Sequence, residues 1–541
     1  MRRTRAASIA ALGIAATLVL AACGGGGGTS PDAGGAAGSD GTYSININSD
    51  PEKPLVPGDT TESEGAQVID ALFTPLVNYN TETVEVEYSG VAESIESTDN
   101  TNWTVTLKDG WTFHDGTPVT AQSFVDAWNY TANVENAQGG AYFFSKIAGY
   151  DGENPKPAME GLTVVDDLTF TVVLNEPFRQ FPLMTGYNAF SPLPQAFYDD
   201  PEAFGRQPIG NGPFRADTEY APGQGITLSR FEEYAGDNAA AAGGVQIRVI
   251  SDINTAYNEL IAGNLDVYRY TLPPELATIA PDELGDRYFE RVSSSFTYMG
   301  FPLYDPRFSD PRVRQAFSMA VDRPSITDAI FSGTRVPAYD VIPPTIDGHR
   351  ADACEFCQFD PARAKQLLAE SGFDTSQPVE LWFNAGAGHD AWVQAVGNQL
   401  QQNLGITYTL RGDLDFAQYL PLADQKGMTG PFRLGWGMDY PSPENFLGPL
   451  FTTGAQPPAG SNSTFYSNPE FDRLVAAGNQ AASNEEAVAL YQQADDLLLN
   501  DLPMMPMFYG FSQGGHSENV DNVGFSPFAT SVVLTDVTVN G

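Results

Sequence analysis

The sequence predicts a mixed α/β protein that is built from more than one folding unit. As far as about residue 230, polar and apolar residues mostly alternate with period two, which is typical of half-buried strands. From about residue 254, segments with helical periodicity and clear start signals take over. A chain of 541 residues is too long for one hydrophobic core, so we expect two or three units.

The strand-rich part contains three well-marked segments. Strand alternation is clearest in "YSININ" (43–48) and "NWTVTLKDGWTF" (102–113), and "LTVVDDLTFTVVLNEP" (162–177) predicts two strands around a turn at Asp166–Asp167. One helix interrupts these strands in "VTAQSFVDAWNY" (119–130). Its residues Phe124, Ala127 and Trp128 form one apolar face, so this helix is expected to pack on the strands.

The helix-rich part is marked by N-terminal capping residues. Asp310–Pro311 and Asp360–Pro361 each supply an N-cap followed by a proline at the first helical position. Ser483 and Glu486 have the spacing of a capping box, and the helix that they start is expected to end at residues 501–503. The apolar positions of these helices are expected to be core.

The N-terminus has the plan of a secretory signal peptide. Arginines at positions 2, 3 and 5 precede an apolar run, Ile9–Leu20, that is too short to span a bilayer comfortably. No other segment has the about 20 uninterrupted apolar residues that a membrane span needs. We therefore expect residues 1–22 to direct export and to be removed.

Leu20-Ala21-Ala22-Cys23 resembles the lipobox of bacterial lipoproteins. This resemblance implies cleavage before Cys23, a lipid on that cysteine, and a protein that is anchored to the outer face of the cell membrane. The Gly-rich segment 23–41 would then be a flexible tether. The alternative is a signal peptide that contains a cysteine by chance.

Cys354 and Cys357 are the other two cysteines. In an exported protein, a C-x-x-C pair predicts a local disulfide. A zinc site would need two further ligands, and only His349 is near in sequence. A thioredoxin-like redox role lacks the expected βαβ context.

Charge and motifs exclude several classes of function. The formal net charge of -41 opposes sequence-independent nucleic-acid binding. "GFSQG" (510–514) fits a nucleophile elbow, but only His516 follows Ser512 closely, and no acid-then-histidine order completes a triad. Phosphate-binding and zinc-protease motifs are absent, and the four histidines are widely spaced. We expect no enzyme, no cofactor and no bound metal, with an exported hydrolase as the distant alternative.

The stretch "RLGWGMDYPSPENF" (433–446) sets one carboxylate, Asp439, among aromatic residues and prolines. Two interpretations compete. Asp439 is either a turn aspartate that caps its own backbone, or a charge held in a pocket for a ligand cation. Residue types alone favour the turn.

Seven segments, in this order, resemble one family: the extracytoplasmic solute-binding proteins of peptide ABC importers, family 5, which includes oligopeptide- and dipeptide-binding lipoproteins. These segments span almost the whole mature chain. They are 107–128, 208–214, 258–267, 308–323, 359–373, 434–447 and 466–475.

The resemblance implies a two-lobed α/β fold of the periplasmic-binding-protein type with an extra strand-rich side domain. The lobes would close on a ligand by a hinge motion. The implied ranges are 42–84, 206–292 and 510–541 for the first lobe, 85–205 for its strand-rich side domain, and 293–509 for the second lobe.

The resemblance also implies the ligand-binding residues. The loop "SDPEKPLVP" (49–57), with Glu52, Lys53 and Pro54, would grip a peptide from the first lobe. Trp436, Met438 and Tyr440 would grip it from the second lobe. Asp439 matches the family's Gly-Trp-x-x-Asp position, whose carboxylate pairs with the ligand's α-ammonium. For the ligand's carboxylate, Arg411 and Arg433 are the candidates.

The implied function is that of a substrate-binding lipoprotein that captures extracytoplasmic peptides and delivers them to ABC permease subunits with cytoplasmic ATPases. We expect a monomer that binds no nucleic acid and contacts the membrane through its lipid. Two alternatives use the same fold. One is a carrier of nickel, another metal chelate or another small solute, and the other is a receptor for peptide signals.

Overall fold

The computed structural model describes residues 40–270, 272–526, 528 and 531–540. The expected signal peptide (1–22), the lipidation site Cys23 and the tether up to residue 39 lie outside these residues. Within the described part of the chain, no helix is both long enough and apolar enough to cross a membrane.

The strands of the described chain are β1 (Thr42–Ile47), β2 (Asn78–Tyr79), β3 (Val86–Glu87), β4 (Ala92–Glu96), β5 (Asn102–Leu107), β6 (Leu162–Asp166), β7 (Thr169–Val173), β8 (Phe214–Ala216), β9 (Gly225–Arg230), β10 (Gly244–Val249), β11 (Val267–Tyr268), β12 (Tyr288–Gly300), β13 (Val336–Pro337), β14 (Val379–Trp382), β15 (Tyr408–Arg411), β16 (Phe432–Gly437), β17 (Met504–His516), β18 (Val520–Asp521) and β19 (Thr538–Val539).

The α-helices of the described chain are α1 (Ser63–Leu72), α2 (Ala121–Ala132), α3 (Phe181–Met184), α4 (Gln195–Asp199), α5 (Pro201–Arg206), α6 (Ile253–Ile261), α7 (Pro274–Ala277), α8 (Ala280–Leu284), α9 (Pro311–Met319), α10 (Arg323–Phe331), α11 (Pro361–Ser371), α12 (Asp390–Leu404), α13 (Phe416–Asp424), α14 (Glu444–Phe451), α15 (Pro469–Gln480) and α16 (Asn484–Asp501).

One large sheet runs through both lobes. Its order is β15-β14-β16-β12-β17-β11-β1-β10-β9-β8, with β13 paired to β17. The long strands β12 and β17 pair antiparallel. β17 joins β11 of the first lobe near its end at His516, while β12 joins β16 of the second lobe over 295–300. A register shift between Val292 and Phe296 interrupts the β12–β17 ladder, so the chain crosses between the lobes at an irregular, bendable point.

A second sheet forms the strand-rich side domain. Its order is β4-β5-β7-β6, all antiparallel, and α2 packs on it through Phe124 and Trp128, which contact Phe170 of β7. The predicted apolar face of this helix is confirmed. The predicted turn is also confirmed, because β6 ends at Asp166 and β7 begins at Thr169.

The predicted helix starts of the second lobe are confirmed, with one difference in detail. Asp310, Asp360 and Ser483 accept hydrogen bonds from the backbone in the first turns of α9, α11 and α16. Glu486 does not complete a reciprocal capping box, because its carboxylate accepts from the N–H of Ala482 rather than from that of Ser483.

Two predictions for the strand-rich part were incomplete. The strand predicted over 102–113 ends at Leu107, because Gly110 with a φ of +91° turns the chain. Helix α1 was not predicted. Its N-cap is Glu62, whose carboxylate accepts from the Gly65 N–H, and glutamate is not among the usual capping residues.

The structure contains a disulfide between Cys354 and Cys357, the pairing that their spacing suggests. Both cysteines are fully buried in the second-lobe core beside a short 3-10 turn, Glu355–Cys357. Because the two cysteines are three residues apart, the disulfide closes a local loop at this turn.

The domain ranges remain a proposal, and the topology supports them. Strands β4 to β7 lie within the proposed side domain (85–205), and β1 and β8 to β11 lie within the proposed first lobe. The proposed lobe boundaries at 292/293 and 509/510 fall inside the two crossing strands, β12 and β17.

Candidate functional site

Asp439 lies two residues after β16, in a loop that is held by a buried amide. Asn445, in the first turn of α14, is 1% exposed and accepts hydrogen bonds from the Asp439 N–H (3.0 Å) and from the Trp436 indole N–H (3.2 Å). Its amide nitrogen donates to the Asp439 carboxylate at 3.2 Å. Asn445 thus fixes the loop and orients the carboxylate.

The geometry bears on the two interpretations of Asp439. A turn aspartate would accept from backbone N–H groups a few residues on. Within the described contacts, the Asp439 carboxylate instead accepts from the side chain of Asn445. The turn itself is capped by Ser442, whose hydroxyl accepts from the Glu444 N–H. The loop therefore has no structural need for a charge at residue 439.

Asp439 is desolvated but not closed off from solvent. Burial by the surrounding protein raises its pKa to about 7, and the hydrogen bond from Asn445 opposes this rise only in part. Yet the side chain keeps partial exposure. For a carboxylate in such an environment, the ionised form without a nearby cation is unfavourable.

Three tyrosines lie near enough to Asp439 to experience its charge. Burial raises the pKa values of Tyr79, Tyr142 and Tyr187, and the nearby Asp439 charge raises them further. Tyr142, in the 3-10 turn Ala141–Phe144, is nevertheless 49% exposed. These tyrosines, which come from residues 79–187, therefore lie within electrostatic reach of Asp439.

Two contacts bring the second lobe against the side domain beside the Asp439 loop. Lys146 lies 3.9 Å from the Glu444 carboxylate and stands over the Phe178 ring at 4.2 Å. The Phe178 ring also meets Tyr440 edge-on, with 6.2 Å between ring centroids. Side chains of the second lobe and the side domain are therefore packed together at this end of the loop.

The expected binding residues of the second lobe lie together around Asp439. Trp436 is partly exposed, whereas Met438 and Tyr440 are buried, at 7% and 5% exposure. The Tyr440 hydroxyl donates to Glu444. Trp436 is thus the most accessible of the three, while Met438 and Tyr440 pack beneath the loop.

No described hydrogen bond or ion pair joins the expected first-lobe residues to Asp439. Glu52, Lys53 and Pro54 are exposed. The Pro54 carbonyl accepts from the Thr60 hydroxyl at 2.9 Å, and the next residue, Leu55, donates to the Gly205 carbonyl. Contacts of these three residues with a ligand remain a prediction.

The edge of β16 is open beside the Asp439 loop. β16 pairs with β12 along its whole length but with β14 only at Phe432. Gly435 and Gly437 follow on that edge, and a Cβ on Gly437 would meet nothing within 4 Å. In the described chain, this stretch therefore presents backbone that has no strand on one side.

Arg433 lies at the far end of the same stretch. It is partly exposed, its side chain reaches toward Gly435, and its Nη1 donates to Asn384 at 3.3 Å. Burial lowers its pKa, and its Nε has no hydrogen-bond acceptor within the described residues. No carboxylate of the described chain forms an ion pair with it.

His389 lies close to Arg433. Burial and then the Arg433 charge lower the pKa of His389 to about 3, so its imidazole is neutral at pH 7. Its Nδ1 accepts from Trp392, so its proton is on Nε2, a donor without a partner in the described residues. By contrast, Arg411 is exposed and already paired with Glu380 at 2.5 Å. Of the two candidates for an anion, Arg433 has the free donors.

A larger cavity, of about 1260 Å³, also separates the side domain from the second lobe. Its walls include Arg179, residues 344–347 and residues 441–443, but not Asp439. Asp439 and Arg433 form no ion pair within the described residues, so their surroundings are taken as the candidate site on chemical grounds rather than on volume.

The enzyme alternative finds no support in the geometry. Ser512 lies inside β17, not at the strand-to-helix turn that a nucleophile elbow requires. His114 is held by Gly210 and Gly212, and burial lowers its pKa to about 4. Among the described residues, no group of three or more His, Cys, Asp or Glu side chains is placed to hold a metal.

Sequence reasoning missed the wall opposite Asp439 and the amide that orients it. Tyr79, Tyr142, Tyr187 and Asn445 come from segments whose local patterns predict only core or helix. No local signal in the sequence brings them to residue 439.

Comparison with known proteins places this geometry in a family. The model of the bacterial extracellular solute-binding proteins, family 5 (middle region), matches residues 88–458. The oligopeptide-binding protein OppA of Bacillus subtilis is 29% identical over 539 residues, which cover 95% of this chain and 96% of that protein. The periplasmic OppA of Salmonella typhimurium is 29% identical over 439 residues, 78% of each chain.

Solved structures share the fold. The murein tripeptide binding protein MppA of Escherichia coli superposes with a TM-score of 0.75 at 24% identity, covering 93% of this chain and 99% of that one. Haemophilus influenzae OppA, in complex with the peptide RPPGFSPFR, gives a TM-score of 0.72 at 23% identity, covering 92% and 98%. The two-lobed fold with a side domain is thereby confirmed. This chain belongs to the bacterial extracellular solute-binding proteins, family 5, and is a binding protein that acts outside the cytoplasm rather than an enzyme.

Proposed function

We propose that this chain is the extracytoplasmic peptide-binding component of an ABC importer. It captures a peptide between its lobes and delivers it to permease subunits that are driven by cytoplasmic ATPases. The observation that carries this proposal is a desolvated carboxylate, Asp439, at one end of an open strand edge whose other end holds the unpaired cation Arg433.

Such an arrangement suits the features that all peptides share. An extended peptide adds to the free edge at Gly435–Gly437 through main-chain hydrogen bonds, while its side chains leave the edge on alternate sides. Its α-ammonium pairs with Asp439, and its carboxylate pairs with Arg433. Recognition of backbone and termini leaves the residue sequence of the peptide largely free.

The spacing of the two charges limits ligand length. Six residue steps separate Arg433 from Asp439, and strand geometry makes that roughly 20 Å. An extended peptide that meets both charges therefore has roughly six residues, and a shorter one reaches only one of them. Longer peptides would have to leave the cleft beyond Arg433.

The function is tested by native mass spectrometry of protein that has been purified without refolding. We expect a population with added mass that is released as peptides of a few residues. Release of a chelated metal, or of another small solute, would instead support the carrier alternatives in the same fold.

Affinity for a free-amine peptide is expected to fall on acidification. The pKa of Asp439 is about 7, and an adjacent ammonium holds it lower in the complex, so the complex needs the ionised carboxylate. Below pH 7 the free protein must first lose a proton. Affinity should therefore drop roughly tenfold per pH unit until the pKa of the bound form is reached.

Calorimetry between pH 7.5 and 5.5 measures this dependence. Asp439→Asn removes the titrating group and should flatten the profile, which separates Asp439 from other acids of the cleft. An unchanged affinity of the wild-type protein across this range would contradict a carboxylate with this role.

We also propose that Cys23 carries the membrane anchor, which would place the protein on the outer face of the cell membrane. Cys23→Ala should leave a full-length or miscleaved precursor without diacylglycerol. Intact-mass measurement of protein from the membrane fraction checks this expectation. A mature wild-type chain with an unmodified Cys23 would contradict it.

A further inference from the structure

A small cavity lies next to the Asp439 site. Its volume is about 180 Å³, the space of roughly six water molecules, which is ample for a lysine or arginine side chain. Asp70, on α1, is the only charged residue in its described lining, and its other polar walls include Asn78 and Asn188. The cavity thus offers one negative charge and no positive charge.

Tyr79 joins this cavity to the amine site. It lines the cavity, and its hydroxyl lies near enough to Asp439 for that charge to raise its pKa. Tyr187 experiences the charges of Asp439, Asp70 and Glu62 together. The Tyr187 ring also meets Phe528 of the cavity wall edge-on, with 6.4 Å between ring centroids. A ligand whose amino terminus is held at Asp439 therefore has the cavity near its first residues.

The surroundings of Asp70 suit a cation. The side chain is exposed to the cavity, yet burial in the surrounding protein raises its pKa to about 6. Asn188 donates to one of its carboxylate oxygens at 2.8 Å. No Lys or Arg of the described chain forms an ion pair with it. The buried Arg269 donates to Gln67, Ser63 and Tyr270, and its charge, together with a hydrogen bond from Ser531, partly offsets the rise in the pKa of Asp70.

The aromatic wall adds to this preference. Tyr79 and Phe528 line the cavity with their rings edge to face, 5.4 Å between centroids. Ring faces attract cations, and Lys and Arg stems pack well on aromatic carbon. Glu62, which caps α1, adds a further negative charge to the cleft.

We propose that Asp70 and the Tyr79–Phe528 wall form a pocket for a cationic side chain, so that the protein prefers peptides with Lys or Arg at one of the first two positions. This inference rests on the proposed peptide-binding function and specifies its substrate class. Electrostatic complementarity selects among partners in this way without changing how the backbone is held.

Calorimetry with pentaalanine peptides that carry Lys, Gln or Glu at position 1 or 2 tests the pocket. In one of the two positions, the wild-type protein should bind the Lys peptide at least tenfold more tightly than the Gln peptide, and the Glu peptide most weakly. Asp70→Asn should bring the Lys-to-Gln ratio close to one and leave the affinity for the Gln peptide within about twofold of wild type, since only the charge is removed.

Two controls make the result specific. Asp374→Asn removes an exposed charge from the second lobe and should leave the ratio unchanged. Acetylation of the lysine ε-amine in the peptide removes its charge and adds only an acetyl group, and it should abolish the preference in the wild-type protein. This measurement holds even if Asp70→Asn fails to fold.

Equal affinities for the Lys and Gln peptides in the wild-type protein, or a preference that persists in Asp70→Asn, would overturn the pocket. The binding results distinguish an error in the proposed pocket from an error in the proposed function. If peptides bind and α-acetylation weakens them but Lys is not preferred, only the pocket is wrong. If no peptide of the series binds, both proposals fall.

Discussion

Replacing Asp439 by asparagine is expected to weaken binding of a free-amine peptide by about 2 to 5 kcal/mol, the usual loss for a desolvated charge pair. Asparagine keeps the shape, and its amide still has Asn445 beside it, so the loop should persist. Because an uncompensated desolvated charge disappears, thermal stability without ligand should stay the same or rise.

Calorimetry at pH 7.5 with one peptide that the wild-type protein binds measures the loss. Asp374→Asn serves as the control for a general change of net charge, because this carboxylate is exposed and caps its own loop at Ser376. If Asp439→Asn binds as tightly as wild type, Asp439 is a loop residue and the ligand is held elsewhere.

Arg433→Gln is expected to produce a loss of similar size, about 2 to 5 kcal/mol, for a short peptide with a free carboxylate. Arg433 forms no ion pair with a carboxylate of the described chain, and its guanidinium is only partly buried. A ligand carboxylate would supply that missing partner, so the loss should disappear when the peptide is amidated at its C-terminus.

Arg411→Gln is the matched control. Arg411 is exposed and occupied by Glu380, so its replacement should change binding by less than about 0.5 kcal/mol. Equal losses for the two variants would mean that the effect reflects net charge rather than a site. If Arg433→Gln causes no loss of affinity, the ligand's carboxylate does not bind Arg433 and remains in solvent.

Local patterns predicted much of the fold. The capping residues Asp310, Asp360 and Ser483 each started a helix because side-chain capping acts over three residues, a range that sequence displays directly. Helix α1 was missed because its cap is Glu62, a residue that rarely serves in this role. The lobes and the side domain followed only from the family resemblance, since the crossing strands β12 and β17 are 204 or more residues apart in sequence.

The candidate site was predicted in part. The unusual composition around Asp439 marked one wall of the cleft. The opposite wall was not predictable, because Tyr79, Tyr142 and Tyr187 each look like core residues until the lobes are brought together. The buried donors without acceptors at Arg433 and His389 could not be predicted either. Whether a donor finds an acceptor depends on distances in the folded protein, which the sequence does not display. Nothing in the sequence marked Asp70 as a binding residue, because it is a single acidic residue on the polar side of helix α1, which was not predicted.

The measurement that tests the central claim most directly is a calorimetric double-mutant cycle between Asp439→Asn and α-acetylation of the peptide. Each change alone removes the same charge-assisted contact, so each should weaken binding by about 2 to 5 kcal/mol. Together they should cost much less than their sum, because the second change finds no contact left to remove. Losses that simply add would contradict a direct pairing of Asp439 with the peptide's amino terminus.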